Sequence, residues 1–264
     1  MQLNAFDRFQ QQNSLIHQLD PRVKVIITVL FIVANVLLPD GAWLGFIAAW
    51  LFLLTIALLA KIPVATVYKR TLIVFPFMLA AVTVLFTLPG DPLWSWQVGS
   101  RTIVISDSGL LRFVSIVIRS WLAVQIAVLL TAATSFPDLM HALTHLRVPA
   151  ILVSIIAFMY RYLFVLADEA MRLMRARTAR SASLSGGMGS GSIVWQAKVT
   201  GNMIGQLLVR SLDRSDRVYQ AMLSRGYDGR YLTLHSHQME RQDWVLAAVG
   251  VFIILLIQFM GRLF

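Results

Sequence analysis

Five stretches of this chain stay apolar for as long as a helix needs to cross hydrocarbon, about 20 residues with a range of about 17–25. They lie near 23–43, 42–60, 71–88, 110–133 and 244–263. Pro39-Asp40-Gly41 cuts the first run short, and Lys24 stands at its entrance. A sixth run, 148–166, contains Tyr160-Arg161-Tyr162, a trio suited to an interface rather than a lipid-facing centre. Between the third and fourth runs, 89–109 alternates apolar and polar residues at Arg101-Thr102-Ile103-Val104-Ile105 and carries Trp94 and Trp96. That pattern predicts a short connecting strand or hairpin with aromatic anchors.

Residues 134–243 follow a helical period instead. Thr134 or Ser135 can cap a helix starting near Phe136-Pro137, with proline at the tolerated first position and Asp138 at the positive end. Its Leu139, Ala142, Leu143 and Leu146 are three or four residues apart, so it should lie flat on an apolar surface. Pro149 restarts the chain into a second helix over 150–182, with Asp168–Arg172 as an i,i+4 acid-to-base pair. The tract Ser181–Ser192, SASLSGGMGSGS, lacks the lysine of a phosphate loop and reads as a flexible linker. A third helix is expected from Ser192 to about Arg225. Ile204, Leu208, Leu212, Tyr219 and Met222-Leu223 form its apolar stripe, and Asp213–Arg217 supports it locally. Gly226 then suits a left-handed helix cap.

Composition fixes the solvent for the apolar runs. Of 264 residues 58% are hydrophobic and 14% charged, where soluble domains have about 25% charged. The mean hydropathy is +0.71. The fold class is therefore an all-α integral membrane protein: about five transmembrane helices, with a helical domain at 134–243 inserted before the last span. The membrane domain is 1–133 and the last helix 244–264. The first 22 residues are polar and lack the apolar core of a secretory signal. There are no cysteines, which excludes disulfides and thiolate chemistry.

Charge sets the orientation. Lys61, Lys69 and Arg70 follow the second run, while the 39–41 break holds only Asp40, so the N-terminus and 61–70 are expected in the cytoplasm. Four spans return residue 134 to that side. A crossing by 148–166 would export Arg172, Arg175, Arg177 and Arg180, so this run is expected not to span. The 134–243 block then becomes a cytoplasmic domain below an inner membrane, holding 13 of the 23 Lys and Arg residues.

Two arginines in that block lie at expected helix ends, in Ala179-Arg180-Ser181 and Ser224-Arg225-Gly226. An arginine there either caps its own helix or turns its planar fork of donors towards a partner's carboxylates or carbonyls. The residues alone leave both open.

Several stretches together resemble the transmembrane T component of energy-coupling factor transporters, in its cobalt/nickel branch known as CbiQ. They are SLIHQLDPRVK at 14–24, FPDLMHAL at 136–143, MYRYLFVLADEAMRLMRAR at 159–177 and AMLSRGYDG at 221–229, in the family's order and across nearly the whole chain. The resemblance implies that two Ala-Arg-Gly-type motifs end cytoplasmic coupling helices and dock on two ABC-type ATPase subunits. By position these are Ala179-Arg180-Ser181 and Ser224-Arg225-Gly226, departing from the pattern at Ser181 and Ser224. It also implies a separate substrate-binding membrane subunit, reached through the apolar faces of Leu139, Leu143, Leu208, Leu212 and Tyr219. The chain would catalyse nothing and bind no cofactor, with ATP held by the partner ATPases.

The spans fit that division of labour. With Asp40 assigned to the 39–41 break, they contain no Asp, Glu, His or Cys, whereas an ion carrier needs a relay or ligands. Their main polar exception is Arg119 in the fourth span, two turns from Gln125. It either snorkels to the outer interface or contacts the bundle or a partner. His141 and His145, and His235 and His237, have metal-compatible spacings but no third ligand, and read as surface or interface residues. Nucleic acid is not an expected partner, because the arginines lack interleaved aromatic platforms. A different class of function remains open: a self-sufficient permease whose basic domain, with the chain's pI near 10.7, binds anionic lipid.

Overall fold

A computed structural model describes residues 12, 14–87, 91–98, 101–180, 193–229 and 239–263, with backbone alone at 87, 92–98 and 101–105. The elements are α1 (Leu15–Gln18), α2 (Pro21–Leu37), α3 (Trp43–Leu59), α4 (Val64–Thr71), α5 (Phe75–Ala81), α6 (Val84–Thr87), β1 (Pro92–Val98), β2 (Arg101–Ser106), α7 (Asp107–Ala133), α8 (Phe136–His145), α9 (Ala150–Arg180), α10 (Ile193–Leu223) and α11 (Arg241–Leu263). Among the described residues, four stretches are long and apolar enough to cross a membrane, Val64–Phe86, Asp107–Ala133, Ala150–Arg180 and Arg241–Leu263. Trp43–Leu59 is apolar but shorter. The expected all-α membrane architecture is what the chain adopts, with one small antiparallel hairpin.

Contacts divide the chain into two compact units, Met1–Leu146 with His235–Phe264, and Arg147–Leu234. The first is built on α2, α3, α7 and α11. Phe31, Phe46, Leu53, Leu122, Leu129 and Ile254 belong to its continuous buried core. Small residues allow close approach: a Cβ on Gly45 of α3 would lie 3.1 Å from the Cα of Gly261 in α11. Membrane helices commonly meet through such residues, because water does not drive their association.

Two details differ from the sequence expectation. Residues 64–71 of the 61–70 connection are helical, since α4 starts directly after Pro63 and Lys69 and Arg70 fall in its last turn. The run then tightens into a 3-10 turn at Leu72–Val74 before α5. Pro76, which lacks an N–H and crowds the preceding turn, accounts for the break. The hairpin forms as expected, pairing Trp94 with Ile105 and Trp96 with Ile103. The aromatic-anchor expectation for Trp94 and Trp96 concerns side chains outside the described residues.

α8 begins as its sequence demands. Ser135 accepts from the Asp138 N–H at 3.3 Å and donates to the Asp138 carboxylate at 2.6 Å, with Pro137 in the first turn. The helix packs on α2. It buries Met140, His141 and Ala142, while Leu139 and Leu143 are half-buried and Leu146 is exposed. The expected apolar stripe is therefore turned part of the way out.

Candidate functional site

The second unit is a pair of 31-residue helices, α9 and α10, running antiparallel. Arg177 Nη1 donates to Thr200 Oγ1 at 2.9 Å near the end of α9. Ser154 Oγ donates to the Gly229 carbonyl at 3.5 Å near its start. Arg180 and Arg225 consequently occupy opposite ends of the pair. At 1.5 Å per residue each helix is about 46 Å long, so the two guanidiniums are presented far apart.

The end of α10 follows from Gly226. Its φ of 80° is the left-handed conformation that glycine takes without a Cβ penalty. The Gly226 N–H donates to the Leu223 carbonyl and the Tyr227 N–H to the Met222 carbonyl, both at 3.0 Å. These two bonds form the Schellman closure. They satisfy the last carbonyls with backbone, so Arg225 is not needed to cap its helix. Ala179, Arg180, Ser224, Arg225 and Gly226 are all exposed. Among the described residues neither Arg180 nor Arg225 has a side-chain partner. Arg177, by contrast, is committed to Thr200. Ser181, His235 and His237 lie outside the described residues.

The expected apolar stripe of α10 is open. Leu208 is 60% exposed, Leu212 58% and Tyr219 51%. Neither sequence-local ion pair, Asp168–Arg172 or Asp213–Arg217, closes among the described residues, in keeping with the few tenths of a kcal/mol such exposed pairs are worth. The acid that does pair is Glu169. Its Oε1 meets Arg210 Nη1 at 3.3 Å and its Oε2 meets Arg214 Nη2 at 3.0 Å, across to α10. The Arg210 hydrogen bond, followed by that of Arg214, holds the Glu169 carboxyl below its ordinary range against the opposing effect of burial.

In the first unit, Arg119 stays within the protein. Its Nη2 donates to the Leu38 carbonyl at 2.6 Å and to Asp40 Oδ1 at 2.8 Å, and the guanidinium lies 5.9 Å from the Phe46 ring centroid. The charge thus reaches the α2–α3 loop, and its partner is that loop's carboxylate. Sequence reading did not foresee a polar junction at the other end of α2. There Lys24 Nζ donates to the His17 and Ala133 carbonyls, and Asp243 accepts from the Asp20 and Glu240 N–H groups. The SLIHQLDPRVK stretch signalled it, since Ser14 and Asp20 are both helix caps.

Among the described residues neither region offers an ion cage. An apolar cavity of about 210 Å³ between α2, α3, α7 and α11 has Lys24 as its charged lining residue, already held by two carbonyls. Among the described residues no group of three or more His, Cys, Asp or Glu side chains converges. The His141 and His145 rings lie tilted at 47° with centroids 4.5 Å apart.

Comparison with known proteins matches residues 12–237 to the family described as CbiQ, cobalt transport protein. The chain is 26% identical over 261 residues to an uncharacterized protein of Methanocaldococcus jannaschii, covering 97% of this chain and 86% of that one. It is 28% identical over 240 residues to the energy-coupling factor transporter transmembrane protein EcfT of Acidaminococcus fermentans, covering 86% and 84%. It is also 28% identical over 265 residues to the EcfT protein of Clostridium kluyveri, covering 95% and 94%.

Proposed function

The chain belongs to the CbiQ family of cobalt transport proteins, and from that we propose that it is the transmembrane coupling subunit of an ATP-driven importer of the energy-coupling factor type. It links two cytoplasmic ABC-type ATPase subunits to a separate membrane subunit that binds the cargo, cobalt or nickel ion. The chain hydrolyses no ATP. The observation that carries the reading is the placement of Arg180 and Arg225, exposed and without partners among the described residues, at opposite ends of one antiparallel helix pair. Two docking ends separated by a helix length suit two ATPase subunits, one at each end. A backbone-closed cap leaves the Arg225 fork for a partner.

In this reading the N-terminus and the α9–α10 unit are cytoplasmic. α9 does not cross, because crossing would place Arg172, Arg175, Arg177 and Arg180 outside. Nucleotide-driven closure of the ATPases shifts the two arginine ends relative to each other. The open faces of α10, at Leu208, Leu212 and Tyr219, and of α8, at Leu139 and Leu143, pass that movement to the cargo-binding subunit. Cargo specificity then belongs to that subunit.

Co-purification tests the proposal. Tagged wild-type chain is expected to retain an ATPase, and Arg180→Lys or Arg225→Lys to weaken retention about tenfold, because charge is kept while the bidentate fork is lost. ATP-independent transport by the isolated chain in vesicles would replace this reading with a self-sufficient permease.

A further inference from the structure

Glu169 is one of three buried residues of α9, with 8% of its surface exposed, and α10 has no buried residue at all. A largely unburied helix pair is thus joined at its middle by one carboxylate gripping two arginines a turn apart. α10 has two apolar faces to offer its neighbour. Val199, Met203, Leu207, Ser211, Arg214 and Val218 are half-buried, and recur every three or four residues. Ile204, Leu208, Leu212, Tyr219 and Leu223 are 44–62% exposed. At 3.6 residues per turn these faces are centred roughly a third of a turn apart.

Apolar attraction is non-directional and cannot choose between them. It gives the half-buried face no advantage, since that face is interrupted by Ser211 and Arg214 and the exposed one by Ser215. The ionic contact supplies the missing choice. Rolling α10 by a third of a turn would carry its side-chain heads roughly 11 Å around a cylinder about 10–12 Å across, breaking both contacts of Glu169 together. We propose that Glu169 is a positioning residue: with Arg210 and Arg214 it pins the rotational register of α10, so that the apolar stripe of Ile204, Leu208, Leu212 and Tyr219 faces away from α9 and stays available to the partner. Setting register is the best-attested use of a buried ionic contact, whatever its net contribution to stability. The importance of the stripe rests on the coupling reading above, but the pin itself is a property of this chain alone.

The absence of native cysteines allows a direct test on the full-length chain in lipid nanodiscs without partners. Leu208→Cys on the outward face is expected to react with a water-soluble maleimide about fivefold faster than Leu207→Cys on the inward face. Glu169→Gln should bring the two rates together. Glu169→Arg combined with Arg210→Glu and Arg214→Glu should restore the difference, which a role confined to generic stability does not predict. If Glu169→Gln fails to accumulate, Arg210→Gln with Arg214→Gln, which keeps the acid, carries the same readout. Unchanged rates in the uncharged variants would overturn the pin, as would a charge swap that folds with wild-type helicity yet stays equalised. Failure of the tagged wild-type chain to retain an ATPase, with the labelling difference intact, would count against the coupling reading and leave the pin standing.

Discussion

The two compact units are both helical but are held together by different forces. In the first, α2, α3, α7 and α11 share a continuous buried core, and glycines bring α3 and α11 into near backbone contact. In the second, α9 buries three residues and α10 none, and apolar side chains such as Ile204, Leu208 and Leu212 remain open. A soluble monomer rarely leaves so long an apolar face uncovered. The first unit therefore has a buried core of its own, while the second takes its geometry from a few polar contacts.

Glycine substitutions should break this contrast most sharply. Gly45→Leu forces a side chain into the Gly261 backbone, and overpacking of that kind costs about 1–3 kcal/mol. A marked fall in the thermal midpoint of the purified chain in detergent is expected. Gly201→Ala, on α10, meets nothing within 4 Å. Relieving a mid-helix glycine there should stabilise α10 by about 0.5–1 kcal/mol. Amide exchange in α10 should slow while that of α3 and α11 stays unchanged. A stabilising Gly45→Leu, or a destabilising Gly201→Ala, would erase the distinction between the units.

Local sequence signals were readable because local chemistry decides them. Ser135, Pro137 and Asp138 start α8 by satisfying the N–H groups that a helix leaves unpaired. Gly226 ends α10 because few other residues adopt its backbone angles. The 92–106 hairpin followed from alternation and two strands of matching length. The α4 helix was hidden because Lys61, Lys69 and Arg70 made residues 61–70 look like a polar loop, although each lies near a helix terminus where charge is tolerated. The pairing of Glu169 was hidden for a different reason. Spacing along one helix pointed to Asp168–Arg172, but a buried carboxylate gains more from two charged donors on a neighbouring helix than an exposed one gains from its own. No periodicity reveals which of two apolar faces α10 turns inward, since both have the same period.

The contrast also predicts a difference in response to acid. The Glu169 carboxyl is held below its ordinary range chiefly by the Arg210 hydrogen bond, and burial opposes this without overcoming it. A carboxylate with a depressed folded-state pKa contributes stability that is complete above its unfolded value and is lost as pH falls through the folded value. The register of α10 should therefore be constant from neutral pH down to the ordinary carboxylate range, and loosen below it. Nitroxides attached at neutral pH to Leu208→Cys and to Met171→Cys on α9 would report this by electron paramagnetic resonance. A single distance is expected above the ordinary carboxylate range, and a broadened or second distance in stronger acid. In the Glu169→Gln background the broad distribution should already be present at neutral pH and change little with acid, so a matching acid response in both proteins would assign the change to another group.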